Sequence, residues 1–275
     1  MGLLFGALAA IFIGSSDFFA ARAGRHAPSV TVVRTAMLAA GVLTPILFLV
    51  IPSQVVGRHL LIAALSGLMM AGGLSLLYQG YRVAPIGVVA PTASVVLAVV
   101  PVIYDFATGT KLKSVALVGM ALGLLALGAT SYVRGGKGST GLGFLLGLSS
   151  GVLFGVGFTL LSRTKGSGLT PVIAQRWAAF AVLTLFLPLD RGPFLTLRTP
   201  ARWSGILCGV FAGAGMACLQ LGFKYASAGL VSVASSQFAT VAVLLAVIFN
   251  KEHLRWWQSV GVSLTAVAVA LMAMG

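Results

Sequence analysis

The sequence predicts an all-α integral membrane protein with ten transmembrane helices in two inverted five-helix repeats. Three observations carry that prediction. Of the 275 residues, 59% are hydrophobic and 8% charged, whereas a soluble domain carries about 25% charged residues; this surface has too few charges to face water throughout. The apolar residues gather in ten runs, each of about 20 residues and so long enough to cross a bilayer. Finally, Gly2, Gly6, Ala10 and Gly14 stand 141 positions before Gly143, Gly147, Gly151 and Gly155.

The first run, 2–21, shows what the glycines do. On an α-helix, residues four apart form one slanting ridge, and without side chains that ridge admits another backbone closely. Ala21-Arg22-Ala23 resembles a signal-peptide cleavage site, but the run has no basic leader and its ridge recurs later, so a permanent span is expected. Runs 29–51, 60–81, 85–106 and 114–133 complete a first half, residues 1–138. Pro85, Pro91 and Pro101 are expected to bend the fourth run and free carbonyls toward the interior. Run 141–162 opens the second half, residues 139–275, and carries the second ridge. Runs 171–189, 203–223, 228–249 and 256–274 follow, with Gly205, Gly209 and Gly213 again four apart. Trp203, Trp256 and Trp257 begin their runs, where an aromatic belt meets the headgroups. Most connections are short, so successive helices are antiparallel neighbours. The longest, 190–202, holds Arg191, Pro193 and Arg198 and is expected to lie along the interface.

From the second run onward the repeat settles at an offset of 142. Arg34 matches Arg176, Gly67 matches Gly209 and Gly73 matches Gly215. Gly80-Tyr81-Arg82 matches Gly222-Phe223-Lys224, Ala84 matches Ala226, Gly87 matches Gly229, and Gly119 matches Gly261. Five spans is an odd number, so the second copy enters from the opposite side and the halves are related by an axis in the membrane plane. Inverted halves can pack in two equivalent asymmetric ways, one open to each side. That favours a carrier over a receptor or a static scaffold, with the glycine ridges both packing closely and permitting sliding.

The end of the second half, Asn250-Lys251-Glu252-His253-Leu254 with Gln258 and Gly261, resembles the EamA-type family of the drug/metabolite transporter superfamily, as does the Arg in the second helix of each half. The likeness extends over essentially the whole chain. Thr110 stands where the first half would carry the acidic turn residue, so Glu252 is expected to brace its turn rather than do chemistry in both halves. The resemblance implies transport of small metabolites, amino acids, amines or drugs. It also implies a central cavity lined by the first, third and fourth helices of each half.

Ionisable groups inside spans are costly and attract functional readings; Asp17, Arg34, Asp105 and Arg176 are the ones here. Asp17 and Arg34 lie at similar depth on successive helices, so they can form an ion pair, or Asp17 can cycle a proton or meet a cationic substrate. Arg176 has no acidic counterpart, because Phe158 and Thr159 align with Asp17; it must find carbonyls, a headgroup or a substrate carboxylate. Asp105 is expected at the interface with Lys111 or Lys113. Uncharged candidates for the binding site are Tyr78, Gln79 and Gln220 in the third and eighth helices, with Thr92, Ser94, Ser235, Ser236 and Gln237 in the fourth and ninth. Ser and Thr in helices also bond their own backbone, the structural alternative for each.

Other classes fit less well. The net charge of +14 comes from Lys and Arg placed singly or in pairs between apolar runs, a pattern for lipid headgroups rather than nucleic acid. Cys208 and Cys218 lie too far apart on one helix for a disulfide. His26, His59 and His253 fall in separate loops, and no metal, nucleophile or phosphate-binding pattern supports an intramembrane enzyme. No cofactor is expected. The expected partners are a small-molecule substrate and membrane lipids, with a homodimer not required. The reading is therefore a secondary active transporter in the cell membrane, exporting small metabolites by alternating access. The alternative is a flippase of a lipid-linked metabolite. Loops on the side of the termini hold six Lys or Arg against ten opposite, which argues for termini outside; the resemblance implies cytoplasmic termini and is followed here.

Overall fold

The computed structural model describes residues 1–109, 114–131, 140–186, 193–250 and 256–274, and all the regular structure among them is helical. The first half supplies α1 (Gly2–Ala23), α2 (Ser29–Leu43), α3 (Gly57–Val83), α4 (Ile86–Ala107) and α5 (Ser114–Ser131). The second supplies α6 (Thr140–Ser162), α7 (Thr170–Phe186), α8 (Arg202–Tyr225), α9 (Ala228–Ser235), α10 (Phe238–Asn250) and α11 (Trp256–Met274). Among the described residues, 7 helical spans are long and apolar enough to cross a membrane by length and composition. They are α1, α2 extended to Leu47, α3, most of α4, α6, α8, and α9 with α10; α5, α7 and α11 occupy the positions of the other expected runs. Leu61, Leu125 and Ile248 point outward with exposures of 71%, 69% and 65%, as side chains facing lipid do. Glu252 and the turn around it, Thr110 and its neighbours, and Arg191 lie outside the described residues.

Two elements depart from the expected runs. The second stops being α-helical at Leu43 and tightens into a 3₁₀ segment over Thr44–Leu49. Pro45 has no N–H for the α-helical ladder and its ring crowds the preceding turn. The ninth run is broken between Ser235 and Phe238. There Ser235 Oγ donates to the Ser232 carbonyl (2.9 Å) and Ser236 Oγ to the Val233 carbonyl (2.8 Å). Gln237 Nε2 reaches the Ala266 carbonyl of α11 (3.3 Å). Side chains that compete for backbone groups loosen a helix. By contrast, α4 continues through Pro91 and Pro101 without a break.

The packing obeys the same offset as the sequence. α1 runs antiparallel to α8, with Gly2 against Ala226 and Ser16 Oγ bonded to the Cys208 carbonyl (2.9 Å). α6 runs antiparallel to α3, with Gly143 against Ala84 and Ser66 Oγ bonded to the Gly157 carbonyl (2.7 Å). Each pair of positions is the other with the halves exchanged. Gly80 meets Val89 as Gly222 meets Val231, and Gly73 meets Phe154 as Gly215 meets Ile13. α3 rests on α7 as α8 rests on α2, while α5 and α11 pack on each other.

Both glycine ridges lie on a helix of the opposite half. Along α6, a Cβ added at Gly147 would stand 2.9 Å from the Val89 carbonyl, at Gly151 2.7 Å from the Ala93 carbonyl, and at Gly155 2.5 Å from Val100 Cβ, all on α4. On α1, a Cβ at Gly6 would stand 2.6 Å from Ala234 Cβ, and one at Gly14 2.6 Å from the Phe238 carbonyl. Hydrocarbon gives helices little hydrophobic reason to associate, so this close backbone approach is what holds the seam.

Candidate functional site

Between the halves lies a small cavity of about 40 Å³. Its wall comes from α1 (Ile13, Ser16, Asp17), α3 (Met70, Leu74), α4 (Leu97), α6 (Phe154, Phe158), α8 (Ala212, Met216) and α10 (Phe238), with Arg176 reaching in from α7. These are the first, third and fourth helices of each half, plus one arginine. Under the repeat, Ile13 corresponds to Phe154, Asp17 to Phe158, Met70 to Ala212 and Leu74 to Met216. The wall is thus apolar almost throughout, and Asp17 and Arg176 are its only charges among the described residues.

Both charged side chains are 2% exposed. Asp17 Oδ2 accepts from Tyr81 Oη at 3.1 Å. Arg176 donates from one terminal nitrogen to Met37 Sδ at 3.4 Å and from the other to the Ala212 carbonyl at 3.3 Å. Its Nε has no partner. A thioether is a weak acceptor, so the guanidinium is poorly compensated for a buried cation. The two opposite charges line one cavity without pairing with each other.

A polar cluster joins α1, α3 and α8 beside Asp17. Cys208 Sγ lies 3.3 Å from Ser16 Oγ and 3.3 Å from Tyr78 Oη. The rings of Tyr78 and Tyr81 stack with centroids 6.1 Å apart. Sequence reasoning named Tyr78 but missed Ser16, Tyr81 and Cys208. One signal was present: the first half carries Asp17 and Tyr81 where the second carries Phe158 and Phe223, so the carboxylate and the hydroxyl that bonds it are found in the same half.

The expected Asp17–Arg34 pair does not form. α2 packs on α7 and α8, which draws Arg34 away from α1. Its Nε and Nη2 donate to the Leu183 carbonyl at 3.1 and 2.7 Å, and its guanidinium lies 4.9 Å from the centre of the Phe194 ring. Segment 193–199 is pinned on the same helix: Thr31 Oγ1 donates to the Pro193 carbonyl (2.8 Å), and Thr196 N–H to Thr35 Oγ1 (2.9 Å). The loops beyond α2 and α6 are joined in a similar way, with Gln54 N–H donating to the Ser167 carbonyl (3.3 Å) and Leu169 N–H to Ser53 Oγ (2.9 Å).

The remaining candidates lie away from the cavity wall. Gln79 accepts from Ser29 Oγ and Arg82, each at 3.4 Å. Thr92 bonds the Val88 carbonyl (2.7 Å) and Ser94 the Pro91 carbonyl (2.9 Å), the backbone alternative open to any helical hydroxyl. Ser235, Ser236 and Gln237 form the break in the ninth run. Gln220 Nε2 donates to the carbonyl and hydroxyl of Thr164, each at 3.2 Å. Asp105 accepts from Gly229 N–H (2.7 Å) and so caps the start of α9, where the exposed amides favour a negative charge.

Residues 141–274 match the model of the EamA-like transporter family, which belongs to the drug/metabolite transporter superfamily. No curated protein matches. Among solved structures, one described only as the crystal structure of a protein is 18% identical with a TM-score of 0.71. The match covers 99% of this chain and 96% of that one, so the two share a fold. Residues 141–274 therefore resemble a transporter family, and the apolar helices are those of a multi-pass membrane protein by length and composition.

Proposed function

We propose, from the membership of residues 141–274 in the EamA-like transporter family, that the chain is a secondary active transporter moving small metabolites by alternating access. Export is the direction in this reading. Two oppositely inserted five-helix halves would exchange roles as the cavity opens to one side and then the other.

The observation that carries the reading is the correspondence of contacts. Ser16 bonds Cys208 as Ser66 bonds Gly157, and each glycine ridge lies on the other half's cavity-lining helix. Contacts that map onto themselves when the halves are exchanged favour neither side of the membrane, so a tilt of the halves one way has an equivalent tilt the other way, which is what a bistable carrier requires. The cavity sits on that seam.

Purified protein in proteoliposomes tests this. Uptake of labelled amino acids and amines is expected to saturate with concentration and to accelerate when the same solute is loaded on the opposite side. Passage that is linear in concentration and indifferent to loading would mean a channel, and the carrier reading would fail.

A further inference from the structure

Where α6 and α8 end, beside the loop that follows α2, lies a larger pocket of about 370 Å³, separate from the central cavity. The apolar spans stop there, at Leu47, Ser162 and Tyr225, so it opens at the depth of lipid headgroups. Lys165, on the connection after α6, and Lys224, in the last turn of α8, line this pocket, and no acidic residue does. Gln220 lines it too and is only 2% exposed. Its Nε2 is taken by the carbonyl and hydroxyl of Thr164, while its Oε1 has no partner. Because Nε2 faces a carbonyl, the amide cannot be turned round, and the orphan atom is an acceptor awaiting a donor. A neighbouring pocket shares Lys165 and adds Arg163; its one carboxylate, Asp105, is already held by the Gly229 N–H.

The same seam carries an apolar pocket deeper in the membrane. Val210, Gly213 and Ala214 share one face of α8 with Gln220, Leu221 and Lys224. They line a space of about 140 Å³ against the end of α2 and the 3₁₀ segment, where the Thr44 hydroxyl is the one polar side-chain group. Ala214 and Lys224 stand ten positions apart, about 15 Å along the helix, which is half the hydrocarbon thickness of a bilayer. We infer that this seam binds one anionic phospholipid with a hydroxylated headgroup, of the phosphatidylglycerol kind. Lys165 and Lys224 take the phosphate, a headgroup hydroxyl donates to Gln220 Oε1, and an acyl chain lies along α8 against Leu47 and Ala214. A choline headgroup fits less well, because its cation meets two lysines and it brings no donor for Gln220. The site is independent of what the central cavity carries.

Native mass spectrometry of the purified protein tests this with three probes: dioleoyl-phosphatidylglycerol, dioleoyl-phosphatidylcholine and free glycerol 3-phosphate. One phosphatidylglycerol is expected to stay bound under conditions that strip the other two. Lys165→Gln combined with Lys224→Gln should weaken its retention about tenfold or more, the loss of charged hydrogen bonds. Ala214→Trp, which fills the apolar pocket, should weaken it as well while both lysines remain. Arg198→Gln combined with Arg202→Gln removes the same charge at the start of α8 and should change nothing. Elution as a single folded species in size-exclusion chromatography separates lost lipid from lost protein. Equal retention of phosphatidylcholine, or glycerol 3-phosphate held as tightly as the lipid, would overturn the inference, as would equal losses in the two double variants. Carrier behaviour in proteoliposomes is a separate result and would stand either way.

Discussion

Gly151→Leu is expected to abolish transport, and to do so more completely than it reduces folded protein in the membrane. A Cβ at Gly151 would stand 2.7 Å from the Ala93 carbonyl and 2.7 Å from Val96 Cβ. One of these is backbone, so no rotamer change relieves it, and α4 must move away from α6. Overpacking of this kind costs roughly 1–3 kcal/mol, which the folded bundle would tolerate better than the seam of the proposed carrier would. Gly141→Leu is the control, because nothing lies within 4 Å of the added atom; it should change neither quantity. Uptake per milligram of folded protein, with fluorescence-detected size-exclusion for the amount folded, makes the comparison. Equal losses of transport and of folded Gly151→Leu protein would reduce the ridge to static packing.

Arg34→Met and Arg176→Met should have opposite signatures although the repeat aligns the two arginines. Removing Arg34 leaves the Leu183 carbonyl without its donor and strips the cation from Phe194. The expected loss is about 2–3 kcal/mol of stability, read as a lower unfolding temperature in detergent. Arg176 makes one long carbonyl bond and one contact to sulfur, and an apolar side chain of similar length can occupy its place without leaving a strong partner stranded. Arg176→Met should therefore unfold at or above the wild-type temperature while transport is lost. Equal destabilisation by both substitutions would make Arg176 a structural brace.

The helices and their close crossings are legible in the sequence because they are written into residues that cannot be replaced cheaply. Glycines four apart require a neighbouring backbone, and the matched pairs Gly80–Gly222 and Ala84–Ala226 sit at equivalent crossings. What the pattern does not give is the partner. Arg34 and Arg176 occupy the same place in the repeat, on helices packed in equivalent ways, yet Arg34 reaches the Leu183 carbonyl and the Phe194 ring while Arg176 lies on the cavity. Ser94, Ser235 and Ser236 look like binding groups because they are polar in an apolar run. Each instead bonds a carbonyl three residues back, a choice that composition cannot reveal. Cys208 escaped notice because its role depends on Ser16 and Tyr78, 192 and 130 positions away.

Distances between spin labels on the two faces test alternating access most directly. Labels at Val55 and Tyr225 would report one end of the bundle and labels at Arg25 and Trp203 the other, in protein with Cys208 and Cys218 replaced by serine. Alternating access requires two populations for each pair, anticorrelated between the ends: conditions that lengthen Val55–Tyr225 shorten Arg25–Trp203. A single unchanging distance at both ends, or both ends opening together, would contradict it.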